Sequence, residues 1–195
     1  MTTDAANEDA PLYPPSVEVR TVQDLLVHHL CKVLVGPWGL VASIADLSDG
    51  ELHARPSAGA NSIGFEAWHV FRTVDNIVRF VFLREQTVWL AQGLDEAWGL
   101  PKAAQGTGAE VAETQAMHFP SAAALAQYGR DVAAATLPAV AAMTEAQLRE
   151  VVTIRPFGEM TRLASIGTNL IAHGNQHLGS ITLARELLGK PYLGI

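Results

Sequence analysis

Residues 161–189 read TRLASIGTNLIAHGNQHLGSITLARELLG, and this stretch decides the fold class. Leu163, Ile166, Leu170, Leu178, Ile181 and Leu188 recur at intervals of three, four, seven and eight, with Ile171 beside them, which is the period of a helix with one apolar face. Thr161 stands where an N-cap belongs, and Gly189 and Pro191 stop the run. A second stripe at helical spacing is polar: Asn169, His173, Gln176, His177 and Ser180. Burying it without partners would cost about 1–3 kcal/mol per unsatisfied group, so it must face a polar cavity, an ion or solvent.

Upstream, Val151 to Met160 carries Pro156 and Gly158 and reads as extended and turn-like, while Thr144 with Gln147 matches a capping box. Ser121 opens an alanine-rich helix to about Ala142, in which Pro138 predicts a kink or local break. Lys102 to Phe119, rich in Gly, Ala and Thr, has no period and reads as a long loop, preceded by a short apolar segment from Val88 to Leu100 that ends at Pro101. Asn61 or Ser62 caps a helix of about twenty residues whose apolar positions include Phe65, Trp68, Phe71, Val74, Ile77, Val78, Val81 and Phe82. Ahead of the loop Leu47–Asn61, Thr21 starts a first helix in which Val22, Leu25, Leu26, His29, Leu30, Val33 and Leu34 recur at three- and four-residue intervals, interrupted at Gly36-Pro37 before Val41 and Ile44. Residues 1–19, with Asp4, Glu8, Asp9, Pro11, Pro14 and Pro15, predict an extended or disordered arm. Four main helices over residues 20–195, without a strand series, predict an all-α fold. The expected form is a single four-helix bundle with a long crossover between helices two and three.

Composition removes several function classes. The 195 residues carry 13 Lys plus Arg against 20 Asp plus Glu, a formal charge of −7, and only three lysines, Lys32, Lys102 and Lys190. No basic stripe for nucleic acid results. No run approaches the roughly 18 apolar residues of a membrane span, and the acidic start differs from a secretion signal. The one cysteine, Cys31, excludes an intramolecular disulfide and any multi-cysteine metal site, which fits a reducing, cytoplasmic setting.

Seven histidines are present. His173 and His177 lie one helical turn apart on one face, so both imidazoles can reach one ion; a solvated helix face is the alternative reading. His69, in the middle of the second apolar helix, supplies a third nitrogen if that helix faces the pair, and is otherwise a hydrogen-bonded core residue. Three histidines leave coordination positions open, as catalytic metal sites do. Glu66, Arg72 and Asn76 lie within one or two turns of His69, and Asn169 and Gln176 flank the pair. All five are candidates to support the ligands or touch a substrate, although Glu66 and Arg72 also read as ordinary helix-surface charges. His28 and His29 point about 100° apart and read as structural or exposed, as do His53 and His118 in loops, and Cys31 as packing.

The stretches NSIGFEAWHVFRTVDN (61–76) and HGNQHLG (173–179), with IADLSDGELHARP (44–56) leading into the former, resemble the DinB-like superfamily of bacterial four-helix proteins over roughly residues 20 to 189. The resemblance implies that His69, His173 and His177 bind a divalent metal such as nickel, zinc or iron. It also implies a crossover bundle that is frequently a homodimer, an expectation to which the four tryptophans add. Relatives include metal-dependent thiol transferases and a mycothiol-dependent isomerase, so the implied partners are a small-molecule thiol and an electrophile. One position departs from many relatives: Gly174 stands where an acidic residue follows the first histidine of the pair. The Glu of an H-E-x-x-H hydrolase is therefore missing. Two readings follow, a thiol S-transferase-like enzyme and a non-catalytic metal-binding module with a structural, sensing or interface role; a third treats the histidines as core and surface residues without metal. In the enzymatic reading, the three histidines should line a cavity open beside the Lys102–Phe119 loop.

Overall fold

The structure, a computed structural model, describes residues 18–191, so all but the last two residues of the expected N-terminal arm lie outside the described residues. The chain forms α1 (Val22–Leu34), α2 (Leu40–Ala45), α3 (Asp49–Leu52) and α4 (Ile63–Asp75), the last continuing as a π-helical segment, Asn76–Phe82. Three short helices follow, α5 (Val88–Ala91), α6 (Leu94–Trp98) and α7 (Val111–Ala116), then the long α8 (Ala122–Ala141) and the short α9 (Glu145–Arg149). Strands β1 (Val151–Ile154) and β2 (Gly158–Thr161) pair antiparallel, with Val151 opposite Thr161. The last helical body is α10 (Arg162–Ser165), a π-helical segment Ile166–Ala172, and α11 (His173–Leu187). The fold is all-α apart from this one hairpin among the described residues.

Side-chain caps set the starts. Thr21 and Asp24 form a capping box for α1, and Thr144 and Gln147 the expected one for α9. The hydroxyls of Ser62, Ser121 and Thr161 accept from the backbone N–H three residues on. The chain breaks after Leu34 at Gly36-Pro37, as expected. Helix α1 packs against α8 and the fourth body, and α4 packs against the same two, so each chain-successive pair makes its main contacts with the other pair. The long connection between the second and third helices is the expected crossover. Helix α4 runs through the middle, with Phe65, Trp68, Val70, Phe71 and Val74 all buried.

Three local expectations change. Helix α8 passes through Pro138 without a break, because Leu137 and Val140 are both held in the core and the packing of twenty residues outweighs one missing N–H bond. The Lys102–Phe119 stretch holds the short helix α7, and the extended, turn-like stretch Val151–Met160 closes with Thr161 into a paired hairpin.

Close approach of α4 and α8 depends on Gly129, where an added Cβ would sit 2.4 Å from Cζ of Phe71. Alanine is the better helix former by about 1 kcal/mol, but overpacking a buried contact costs about 1–3 kcal/mol. Gly129→Ala should therefore lower the midpoint of denaturant unfolding. An unchanged or raised midpoint would show that Phe71 yields freely.

Candidate metal centre

Because α4 faces α11, a residue midway along one helix meets the start of the other, and the three sequence-predicted histidines come together there. Nε2 of His173 lies 3.1 Å from Nε2 of His69 and 2.9 Å from Nε2 of His177. Two nitrogens bound to one ion at about 2.0–2.1 Å are about 2.8–3.0 Å apart at a right angle and about 3.3–3.4 Å apart at the tetrahedral angle. The observed separations fall between these limits, so the set could hold one ion.

The outer ring nitrogens explain the orientation. His69 Nδ1 donates to the carbonyl of Gln105, and His177 Nδ1 donates to the Glu66 carboxylate. A ring that gives its Nδ1 proton to an acceptor presents an unprotonated Nε2, the form a metal requires. His173 Nδ1 is buried without a hydrogen bond of good geometry, and the backbone carbonyl of Asn169 one turn earlier favours its proton only in part.

Burial favours the neutral form of His173 and His69. Burial pushes His173 down from the ordinary 6.5 to about 4, helped by repulsion from His177 and His69. Burial also lowers His69, against the pull of the Gln105 carbonyl. For Glu66, burial alone would raise the carboxyl, but the hydrogen bond and charge of His177 outweigh it, with a smaller contribution from the Asn61 side chain, and Glu66 stays anionic.

Of the five flanking residues expected beside the histidines, only Glu66 hydrogen-bonds one through its side chain. Asn169 is rotated away by the π-helical segment just before His173 and bonds Ser165 and the sulfur of Met160. The wider π turn shifts the phase of the polar stripe, which constant α-helical spacing cannot anticipate. Gln176 is exposed to solvent, and Asn76 opens the other π-helical segment without a side-chain hydrogen bond among the described residues. Arg72 is buried against Trp89, one turn from His69, and its hydrogen bonds go to the carbonyls of Lys102 and Ala103, not to a histidine of the cluster. Sequence reasoning missed the cover of the site: Gln105 and Gly106, and Phe65, whose ring lies parallel to that of His69 at 5.7 Å. Glycine richness is the one signal that marked this loop.

Asp49, His53 and His118 form a second group of potential ligands. Both nitrogens of His53 are occupied, Nδ1 donating to the Asp49 carbonyl and Nε2 accepting from the Phe119 N–H, so this group ties the loop before α4 to the loop before α8. The cavity beside Lys102–Phe119, about 570 Å³, is lined by Leu100, Gly106, Thr107, Glu113 and Met117 among others, not by the three histidines as expected. A second cavity, about 350 Å³, reaches Glu66 and Ser180. His173 and His177 themselves are half-buried.

A family model of the DinB superfamily matches residues 39–181. The chain belongs to the DinB superfamily. A crystal structure of a conserved protein from Enterococcus faecalis is similar in fold, with a TM-score of 0.75 and 20% identity over 88% of this chain and 99% of that one. No curated protein matches the chain. Among the described residues, no helix is long and apolar enough to cross a membrane.

Gly174 sits at a tight contact between helices. An added Cβ there would lie 2.6 Å from Cγ1 of Val33, so this position faces α1 and not the histidines. An acidic side chain at 174 would need a different helix packing to approach the cluster. Two measurements check this account of the site. In an NMR titration of the metal-free protein, the His173 ring should stay neutral from pH 8 down to near 4, since a lowered folded pKa means that protonation comes late; titration near 6.5 would contradict the burial. Gly174→Glu should unfold at markedly lower denaturant than the natural chain, and an unaffected midpoint would refute the packing argument.

Proposed function

We propose that His69, His173 and His177 hold a divalent metal ion, nickel, zinc or iron, and that the protein is a thiol S-transferase-like enzyme joining a small-molecule thiol to a small electrophile. The observation that carries the reading is the convergence of three Nε2 atoms, those of His69 and His177 within 3.1 Å of that of His173 and both with their Nδ1 protons on acceptors. When bound, the ion supplies positive charge that favours thiolate over thiol near neutral pH. Glu66 and the Gln105 carbonyl hold the His177 and His69 rings for that task, and Glu66 keeps its negative charge beside them. In this reading substrates approach from the α11 side, where the rings of His173 and His177 are half-buried. Superfamily membership and the resemblance to thiol transferases direct the choice of chemistry.

A second reading, a non-catalytic metal-binding module, draws on one specific observation: the histidines line neither of the two cavities described above. The two readings part on ligand access. Protein purified without an affinity tag should contain about one equivalent of a divalent metal, and His173→Ala should remove it and lower the melting temperature in metal-containing buffer. An unchanged metal content would refute the ligand assignment. In cobalt-loaded protein, a low-molecular-weight thiol should add a sulfur-to-metal charge-transfer band and release a proton; no response to any thiol and no turnover of electrophiles would favour the module. We also propose a homodimer, for which Leu183 and Leu187 offer exposed apolar surface; light scattering that finds only a 20.8 kDa species would exclude it.

A further inference from the structure

The segment 102–106 crosses α4 as a strap, held at three points that share one stripe of the helix. Phe65, His69 and Arg72 are spaced i, i+4 and i+7, which places them in line. The Arg72 Nη2 donates to the carbonyls of Lys102 at 3.2 Å and Ala103 at 3.4 Å. His69 donates to the carbonyl of Gln105, and the backbone of Gly106 lies on Phe65 so closely that a Cβ would sit 2.6 Å from Cζ. Gly106 also has φ +92°, where a side chain is strained.

Arg72 is 2% exposed, with its guanidinium 5.0 Å from the centre of the Trp89 ring. Its Nε and Nη1 are buried without a partner of good geometry, and the donor that does bond serves the strap. A desolvated cation is costly to keep, and Asp75 one turn on supplies only part of the compensation because its carboxylate is already taken by the N–H groups of Val88 and Trp89 and the hydroxyl of Tyr128. Its hydrogen bonds fix the strap two and three residues before the carbonyl that receives the His69 proton. A backbone carbonyl orients an imidazole only if its own loop is fixed.

We propose that Arg72 is the positioning residue of the histidine cluster, acting through the strap 102–106 to hold the His69 ring with Nδ1 protonated and Nε2 turned toward His173. Arg72 touches neither an ion nor a substrate in this role. The orientation claim stands without metal; only its consequence for affinity rests on the proposed metal site.

The test uses the full chain, metal-free, with ¹⁵N-labelled histidine. In the natural protein, His69 should give the shifts of a ring protonated at Nδ1 alone. Arg72→Met, which keeps the contact with Trp89, should move both ring nitrogens toward tautomer-averaged values; Arg72→Lys should give a smaller change, since an ammonium retains charge but not the planar fork. Gly106→Ala, which lifts the strap, should reproduce the Arg72→Met signature. Gln105→Ala should leave the shifts unchanged, because the acceptor is backbone. Zinc affinity should fall about 10-fold in Arg72→Met and Gly106→Ala, the usual loss when support of a ligand is removed. A folded Arg72→Met with natural His69 shifts would overturn the proposal, and so would failure of both Arg72 variants to fold, which would assign Arg72 to the core instead. Failure of the natural protein to bind zinc, with the shifts responding as expected, would refute the metal reading and leave the positioning role intact.

Discussion

Three imidazole nitrogens directed at one another inside a helical bundle repel through their lone pairs and lose hydration, and this arrangement sets the demands on the rest of the molecule. Each ring needs an acceptor on its far side to keep the proton off the inner nitrogen. Glu66, one turn before His69 on α4, provides one for His177, and a loop carbonyl provides one for His69. Only His173 lacks an acceptor of good geometry on that side, and it is the ring whose proton affinity burial depresses most clearly. A cation among the inner nitrogens would relieve all three at once.

Bringing the rings together requires helices at short range, and small residues permit it. Gly174 lets α11 approach Val33 of α1 and Val70 of α4, and Gly129 lets α8 accept the ring of Phe71. At Gly174 the space is filled by Val33 of the neighbouring helix, which leaves no room there for a larger side chain. The crossover then returns over the face of α4, anchored through Asp75 at the start of α5 and through Arg72 and His69 along the strap.

Much of this was readable from residue spacing. The three ligand candidates and the four helices follow from apolar periods and from polar residues placed on otherwise apolar faces, because helical geometry fixes which residues share a face. The reading lost phase at Asn169 because a π-helical turn precedes His173, and at Pro138 because tertiary packing carried the helix through. Gln105 was invisible because it acts through a backbone carbonyl, which every residue type shares. Arg72 was noticed, but a helix position one turn from a ligand does not reveal that its side chain reaches a loop rather than the site. Pairing in the β-hairpin depends on a partner strand, and neither four-residue segment announces one alone.

X-ray absorption at the metal edge of the zinc-loaded protein tests the central claim most directly. Three imidazole ligands should appear as about three nitrogen scatterers near 2.0–2.1 Å with the outer-shell features of imidazole rings. A spectrum with one imidazole or none, fitted by water or carboxylate oxygen alone, would contradict the account.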